Sequence, residues 1–282
     1  MSLTRRTVLA GLAAGVLSSC AADPGPSEAP VASPSVSSSA SSVRPRSVGS
    51  RGRDEVVAEY GAAVPTEWGL DVTGVVRSLP GGQGVALTFD ACGGPGGSGY
   101  DRELVDALRR HAVPATLFVN SRWIEANPAV LRELAADPLF ELGNHGTAHR
   151  PLSVTGRSAY GIDGTRDAGG VYDEVMVNHT ALAALLGQPP RFFRSGTAHY
   201  DEVATRIVAE LGERVAGFTV NADGGATFTA AQVRRALGEV QPGDVVIAHF
   251  NQPGHGTAAG FAAALPGLLD QGRKFVHLPK SG

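Results

Sequence analysis

One pattern governs how this 282-residue chain can fold: between residues 85 and 277, short runs of β-branched and apolar residues alternate with amphipathic stretches. The apolar runs predict strands at 85–89, 115–119, 140–142, 191–193, 215–220, 244–248 and 274–277. The stretches between them predict helices at 101–110, 128–136, 171–186, 201–211, 230–238 and 257–270. Such alternation calls for a parallel α/β sheet, either doubly wound or closed into a barrel, and periodicity leaves both open. In either case functional residues are expected where the strands end at their carboxyl termini. Residues 150–170, rich in Gly, Ser and Arg, form the one long connection, and loops of that length usually carry function.

The N-terminal part has a different character. Arg5 and Arg6 precede a ten-residue apolar run, Val8 to Leu17, and then Ser18-Ser19-Cys20. This is the layout of a secretory signal, and its apolar run is about half of what a helix needs to cross a ~30 Å hydrocarbon core. The arginine pair resembles a twin-arginine export signal. Leu17-Ser18-Ser19-Cys20 resembles a lipobox, which places lipidation and membrane attachment at Cys20. Residues 1–20 are therefore expected to be an export signal. Residues 21–62 follow as a disordered linker: Ser, Pro and Ala make up twenty of the thirty residues from Ala21 to Ser50, too little apolar surface for a core. The folded domain is expected over 63–282. The net charge of −3 offers no basic excess for a phosphate backbone, so nucleic acid is not an expected partner. Two cysteines, Cys20 and Cys92, exclude a disulfide framework.

Polar residues stand where the strands end. Asp90 closes Leu87-Thr88-Phe89-Asp90 and is either a rim carboxylate tuned as a base or a turn cap. His145 and His149 follow the third strand, and a helical turn there would let both imidazoles meet one metal ion. Arg194 follows Phe192-Phe193 and requires a carboxylate partner, with Asp90 the natural candidate. Asp223 ends the fifth strand before Gly224, and His249 ends the sixth as an acid/base candidate or a satisfied core-edge residue. His199 and His255 lie just past strands and could line the same cleft, whereas His111, His179 and His277 fall at packing or solvent positions.

In this order, Thr88-Phe89-Asp90, His145 with His149, Phe193-Arg194, Asp223 and Ile247-Ala248-His249 resemble the five motifs of the polysaccharide deacetylase family, the NodB-homology or carbohydrate esterase family 4 enzymes. The resemblance implies a distorted (β/α)7-type barrel. It implies that His145 and His149 hold a divalent metal, zinc or else cobalt or nickel. Asp90 is then the general base held by Arg194, His249 the general acid oriented by Asp223, and an amide near Thr197 an oxyanion donor. The implied activity is N-deacetylation of amino-sugar polymers, peptidoglycan or chitin-like glycans, by an exported, lipid-anchored, monomeric hydrolase of the cell envelope.

The chain also departs from the family pattern. Where the family has a second, metal-ligating aspartate after the base, this chain has Ala91; Gly146 follows the first histidine where Ser or Thr is common. Ser195-Gly196-Thr197 replaces a proline-containing segment. Water, Cys92, Asp163 or Asp167 could complete the metal sphere, Asp90 could move onto the metal, or the site could lack metal. Two further readings stay open at this level: a non-catalytic glycan-binding protein on the same fold, and a hydrolase of another amide or an acetyl ester.

Overall fold

The structure is a computed structural model, and it describes residues 51–279. The export signal, the lipobox with Cys20 and most of the linker lie outside the described residues. The strands are β1 (Val75–Val76), β2 (Val85–Ala91), β3 (Ala115–Val119), β4 (Phe140–Asn144), β5 (Phe192–Phe193), β6 (Arg214–Ala216), β7 (Val220–Asn221), β8 (Val245–His249) and β9 (Phe275–Val276). The helices are α1 (Arg53–Tyr60), α2 (Arg102–Arg110), α3 (Ser121–Ala126), α4 (Pro128–Ala135), α5 (Ala168–Leu186), α6 (Glu202–Glu210), α7 (Ala230–Gly238) and α8 (Gly256–Asp270). Among the described residues no helix is long and apolar enough to cross a membrane.

The strands pair in parallel in the order β1-β6-β5-β4-β3-β2-β8-β7, with β9 beside the start of β2. The region expected to be one strand, 215–220, is divided. Its first part (β6) pairs with β5 and its second (β7) with β8, so a single bent segment closes the sheet on itself. The bend passes Gly217, where a Cβ would come within 2.7 Å of Val75 Cγ1. The result is the distorted α/β barrel that the motif order implied.

Every residue of β2 is buried, as expected of a strand covered on both faces. Val85, Leu87, Phe89 and Ala91 face the main core beneath α2 and α8, together with Trp123, Phe250 and Phe261. The alternate residues face inward: Ala86 joins Phe118, Phe192, Ala216 and Val245 in the plug that fills the barrel floor. The sheet therefore has a sealed floor, and Asp90 is the inward residue at its open end. A second core, built on Val56, Tyr60, Val171, Val175, Val203 and Ile207, packs α1 and α5 with α6. Helix α1 was not expected from sequence, because its eight residues carry four charges and its apolar positions follow no sustained period.

Caps fix the helix starts next to the open end. The Asp101 side chain accepts from Leu104 N at the start of α2, and Asp201 accepts from Ala204 N at the start of α6. Asp201 also accepts from Val154 N at 2.7 Å, which ties the long connection to α6. That connection is ordered through Ser153 and Thr165, both buried and hydrogen-bonded to each other, and it ends in a tight turn at Ala159–Ile162.

Candidate active site

Parallel register sets Asp90 directly beside His249, because Asp90 and His249 form the last pair of the β2–β8 register. Each is held by a buried partner. Arg194 Nη1 donates to Asp90 Oδ1 at 2.8 Å, while its Nε and Nη2 donate to the Ala216 and Gly217 carbonyls at 3.1 and 3.0 Å. The guanidinium stacks 4.3 Å above the Phe118 ring. With its donors engaged and its plane covered, Arg194 can be fully buried without loss of its charge. The Asp223 carboxylate lies 3.0 Å from His249 Nδ1 and accepts from His249 N at 2.7 Å and from Thr257 Oγ1 at 3.1 Å. This fixes Nδ1 as the protonated nitrogen and leaves Nε2 for chemistry.

The two side chains are driven to opposite charge states. Burial alone would raise the Asp90 pKa, but Arg194, His145 and His249 together outweigh it and hold the carboxyl below its ordinary value. Burial alone would lower that of His249, but Asp223 and then Cys92 carry it well above the ordinary imidazole value. At neutral pH the pair is therefore a carboxylate beside an imidazolium.

His145 and His149 meet without the helical turn expected from their spacing. The segment after β4 is irregular, with Gly146 at φ +75° and His149 at φ +61°, and it brings the two rings to 5.0 Å between centroids. His145 Nδ1 lies 3.0 Å from the Arg194 carbonyl, which can only accept, so Nδ1 carries a proton and Nε2 is the nitrogen left facing Asp90 and Cys92. That Nε2 lies 3.7 Å from Asp90 Oδ2 and 3.8 Å from Cys92 Sγ. His149 Nε2 is shut off from solvent with no hydrogen-bond partner. Donor atoms of Cys92, His145 and His149 all lie within 4.8 Å of one another, a set of one sulfur and two nitrogens that fits a divalent transition ion. Asp163 and Asp167 lie elsewhere: both are exposed, and Asp167 caps α5.

The loop is held by a residue that motif reading passed over. Glu174, buried on α5, accepts from Thr147 N, Ala148 N and Arg150 N at 2.9–3.1 Å. A Cβ on Gly146 would sit 2.4 Å from Glu174 Oε1, so glycine is required there by both φ and space. Asn144 and Asn178 complete the frame: Asn144 Oδ1 accepts from Gly146 N and Asn178 Nδ2, and Asn144 Nδ2 donates to Glu213 Oε1. The available signal was Glu174 and Asn178 occupying the otherwise apolar stripe 171-174-175-178-182 of α5.

Asp90, Cys92, His149 and His249 line a cleft of about 570 Å³ with Thr197, Tyr160 and Ile162. Tyr160 stands exposed at the tip of the long connection and meets the His199 ring edge-on at 5.1 Å, with Trp68 6.0 Å beyond. His199 thus touches the lining residue Tyr160 without itself lining the cleft, whereas His255 precedes α8 and bonds the Ala226 carbonyl, and His179 and His277 bond Glu213 and the Leu139 carbonyl. A larger hollow of about 840 Å³ between α7 and α8 is lined by alanines, Arg234 and Arg235 and holds no acid–base pair.

The family profile described as Polysaccharide deacetylase matches residues 79–216, which contain Asp90, His145, His149 and Arg194 but not Asp223 or His249. The chain carries a polysaccharide deacetylase family domain. The relatives of this deacetylase-family domain include a peptidoglycan-N-acetylglucosamine deacetylase of Bacillus cereus, 25% identical over 198 residues. That alignment covers 69% of this chain and 66% of the relative. A chitooligosaccharide deacetylase of Sinorhizobium fredii is 29% identical over 223 residues, covering 73% of this chain and 95% of the relative. The fold is shared with a CE4 family pseudoenzyme from Bacillus anthracis at a TM-score of 0.60 and 19% identity, covering 73% of this chain and 67% of that one.

Proposed function

We propose that the protein is an exported, lipid-anchored hydrolase that removes N-acetyl groups from amino-sugar polymers of the bacterial envelope. The observation that carries this reading is the register-paired Asp90 and His249, each fixed by its own buried partner and facing one cleft in opposite charge states. A site that only bound glycan would gain nothing from that pairing. Deacetylases of peptidoglycan and chitooligosaccharide among the relatives support the substrate class, and the arginine pair and lipobox support export and attachment at Cys20.

Amide hydrolysis needs an activated water, a sink for developing negative charge and a proton for a poor leaving group. Asp90 Oδ2, with Oδ1 anchored on Arg194, takes a proton from the water that attacks the acetyl carbon. A main-chain amide near Thr197, which lines the cleft, serves the oxygen that gains charge. The C–N bond then breaks as His249 Nε2 gives its proton to the departing amine, and Asp223 keeps the imidazole in position. The products are acetate and a free amino sugar. His145 and His149 would hold the divalent ion, which when bound supplies Lewis-acid polarisation of the carbonyl and of the water. Tyr160, which lines the cleft and is backed by His199 and Trp68, gives it an aromatic edge of the kind that packs against the apolar faces of sugar rings.

The test separates turnover from retention. Asp90→Asn keeps an acceptor for Arg194, so it is expected to hold N-acetylglucosamine oligomers as the parent does while acetate release falls about 10²–10⁴-fold. Oligomer retention with no acetate from either form, at an unchanged melting temperature, would establish a non-catalytic binder instead.

A further inference from the structure

Asp90 and Ala91 end β2 and Cys92 is the next residue, and the alternation carried past the strand end decides which of them can serve the cleft. Asp90 and Cys92 share the inward face; Ala91 points the other way and is fully buried in the main core. Counting along the chain makes Ala91 the position of a lost ligand. Counting by faces makes it a core residue and puts Cys92 beside the histidines.

We propose that Cys92 is the third protein ligand of the divalent ion, completing a Cys92–His145–His149 site. The inference rests on the metal-assisted reading above for its expectation of an ion, and on geometry for the ligand. Donors at 2.0–2.3 Å from a tetrahedral ion stand about 3.5 Å from one another. Cys92 Sγ and His145 Nε2 are already 3.8 Å apart, and all three donors lie within 4.8 Å, so closure on an ion needs shifts of about an ångström or less. The main chain at Cys92 is fixed: Arg122 Nη2 donates to its carbonyl at 3.0 Å, and the next residue, Gly93, takes φ +68° where a Cβ would lie 2.4 Å from Trp123 N.

His145 has its outer nitrogen committed to the Arg194 carbonyl, the usual arrangement behind a metal-bound imidazole. His149 holds a left-handed backbone that costs a non-glycine residue about 1–2 kcal/mol, and its buried Nε2 has no protein partner. Both features gain a purpose if the two rings face a cation. The sulfur binds as a thiolate: any remaining Sγ–H bond breaks, its proton passes to solvent, and a sulfur lone pair forms the bond to the ion. The thiolate also supplies the negative charge that a carboxylate would otherwise bring, leaving Asp90 on Arg194 and free to act as base.

Cobalt(II) titration of the metal-free protein reads the sulfur bond directly. The expected result is one equivalent bound, with an intense near-ultraviolet thiolate-to-cobalt charge-transfer band. Cys92→Ser is expected to lose the band and to bind cobalt at least about 100-fold more weakly, since even outer-shell partners are worth 10–100-fold. Cys92→Asp is expected to recover one equivalent without the band, which guards against a folding defect in the serine variant. A parent spectrum without the band, or Cys92→Ser binding as tightly as the parent, overturns the proposal. So does an acetyl thioester on Cys92 found by mass spectrometry during turnover, because the sulfur would then be a nucleophile aided by His249. A thiolate band without acetate release keeps the ligand and removes the deacetylase; acetate release without the band does the reverse.

Discussion

At the scale of single residues, the site depends on which face of β2 each side chain occupies. Asp90 faces a guanidinium and two imidazoles, whereas Ala91, one residue later, faces Leu87, Phe89 and Trp123 in the core. Replacing Ala91 by aspartate therefore inserts a carboxylate with no partner into apolar packing, at a cost of about 3–5 kcal/mol. Chemical denaturation of Ala91→Asp is expected to show that loss, with no gain in cobalt affinity; a tighter ion at unchanged stability would mean that residue 91 turns into the cleft. The chemistry-bearing residues were legible in the sequence because each directly follows an apolar run, where a parallel strand must end at the open rim. Cys92 was left ambiguous because motif order counts positions, while coordination depends on the two-residue period of the strand.

At the scale of elements, the histidine loop has no regular hydrogen bonding of its own and takes its shape from α5. Glu174 substitutes for a secondary-structure ladder by accepting from three main-chain amides of residues 147–150. Glu174→Ala leaves those amides without an acceptor and is expected to weaken cobalt binding by about 10–100-fold although Glu174 lies outside the donor set. Equilibrium dialysis against cobalt checks this, and an unchanged affinity would show that the loop holds itself. Among the described residues, sequence periodicity found seven of the eight strand regions, missing the two-residue β1, and six of the eight helices. It missed α1, whose four charges leave no sustained apolar period, and α3, whose six residues are too few for a 3.6-residue period to emerge. It also missed the division of 215–220 into β6 and β7, because the bend is imposed by pairing with strands distant in sequence.

At the scale of the whole molecule, the frame behind the site couples global stability to pH. Glu213, buried against His179 and Asn144, has its pKa pushed up to about 7 by burial, against an ordinary value of 4.5. Between those values the folded chain binds more protons at this carboxyl than the unfolded chain does. Its contribution is thus greatest below about pH 4.5 and is lost as pH rises to about 7, up to roughly 3 kcal/mol in all. Denaturation between pH 5 and 8 is expected to show a shallower fall in stability for Glu213→Gln than for the parent; parallel profiles would mean that Glu213 is ionised in the fold. The barrel as a whole has a sealed floor and one open rim, and Asp90, Cys92, His145, His149 and His249 converge at that rim under an aromatic border. Whether this arrangement hydrolyses acetamido sugars is measured most directly by acetate released from N-acetylglucosamine oligomers and peptidoglycan with zinc or cobalt supplied. The account predicts acetate and new primary amine in equal amounts over many turnovers; folded, metal-loaded protein that releases neither from any of these glycans would contradict it.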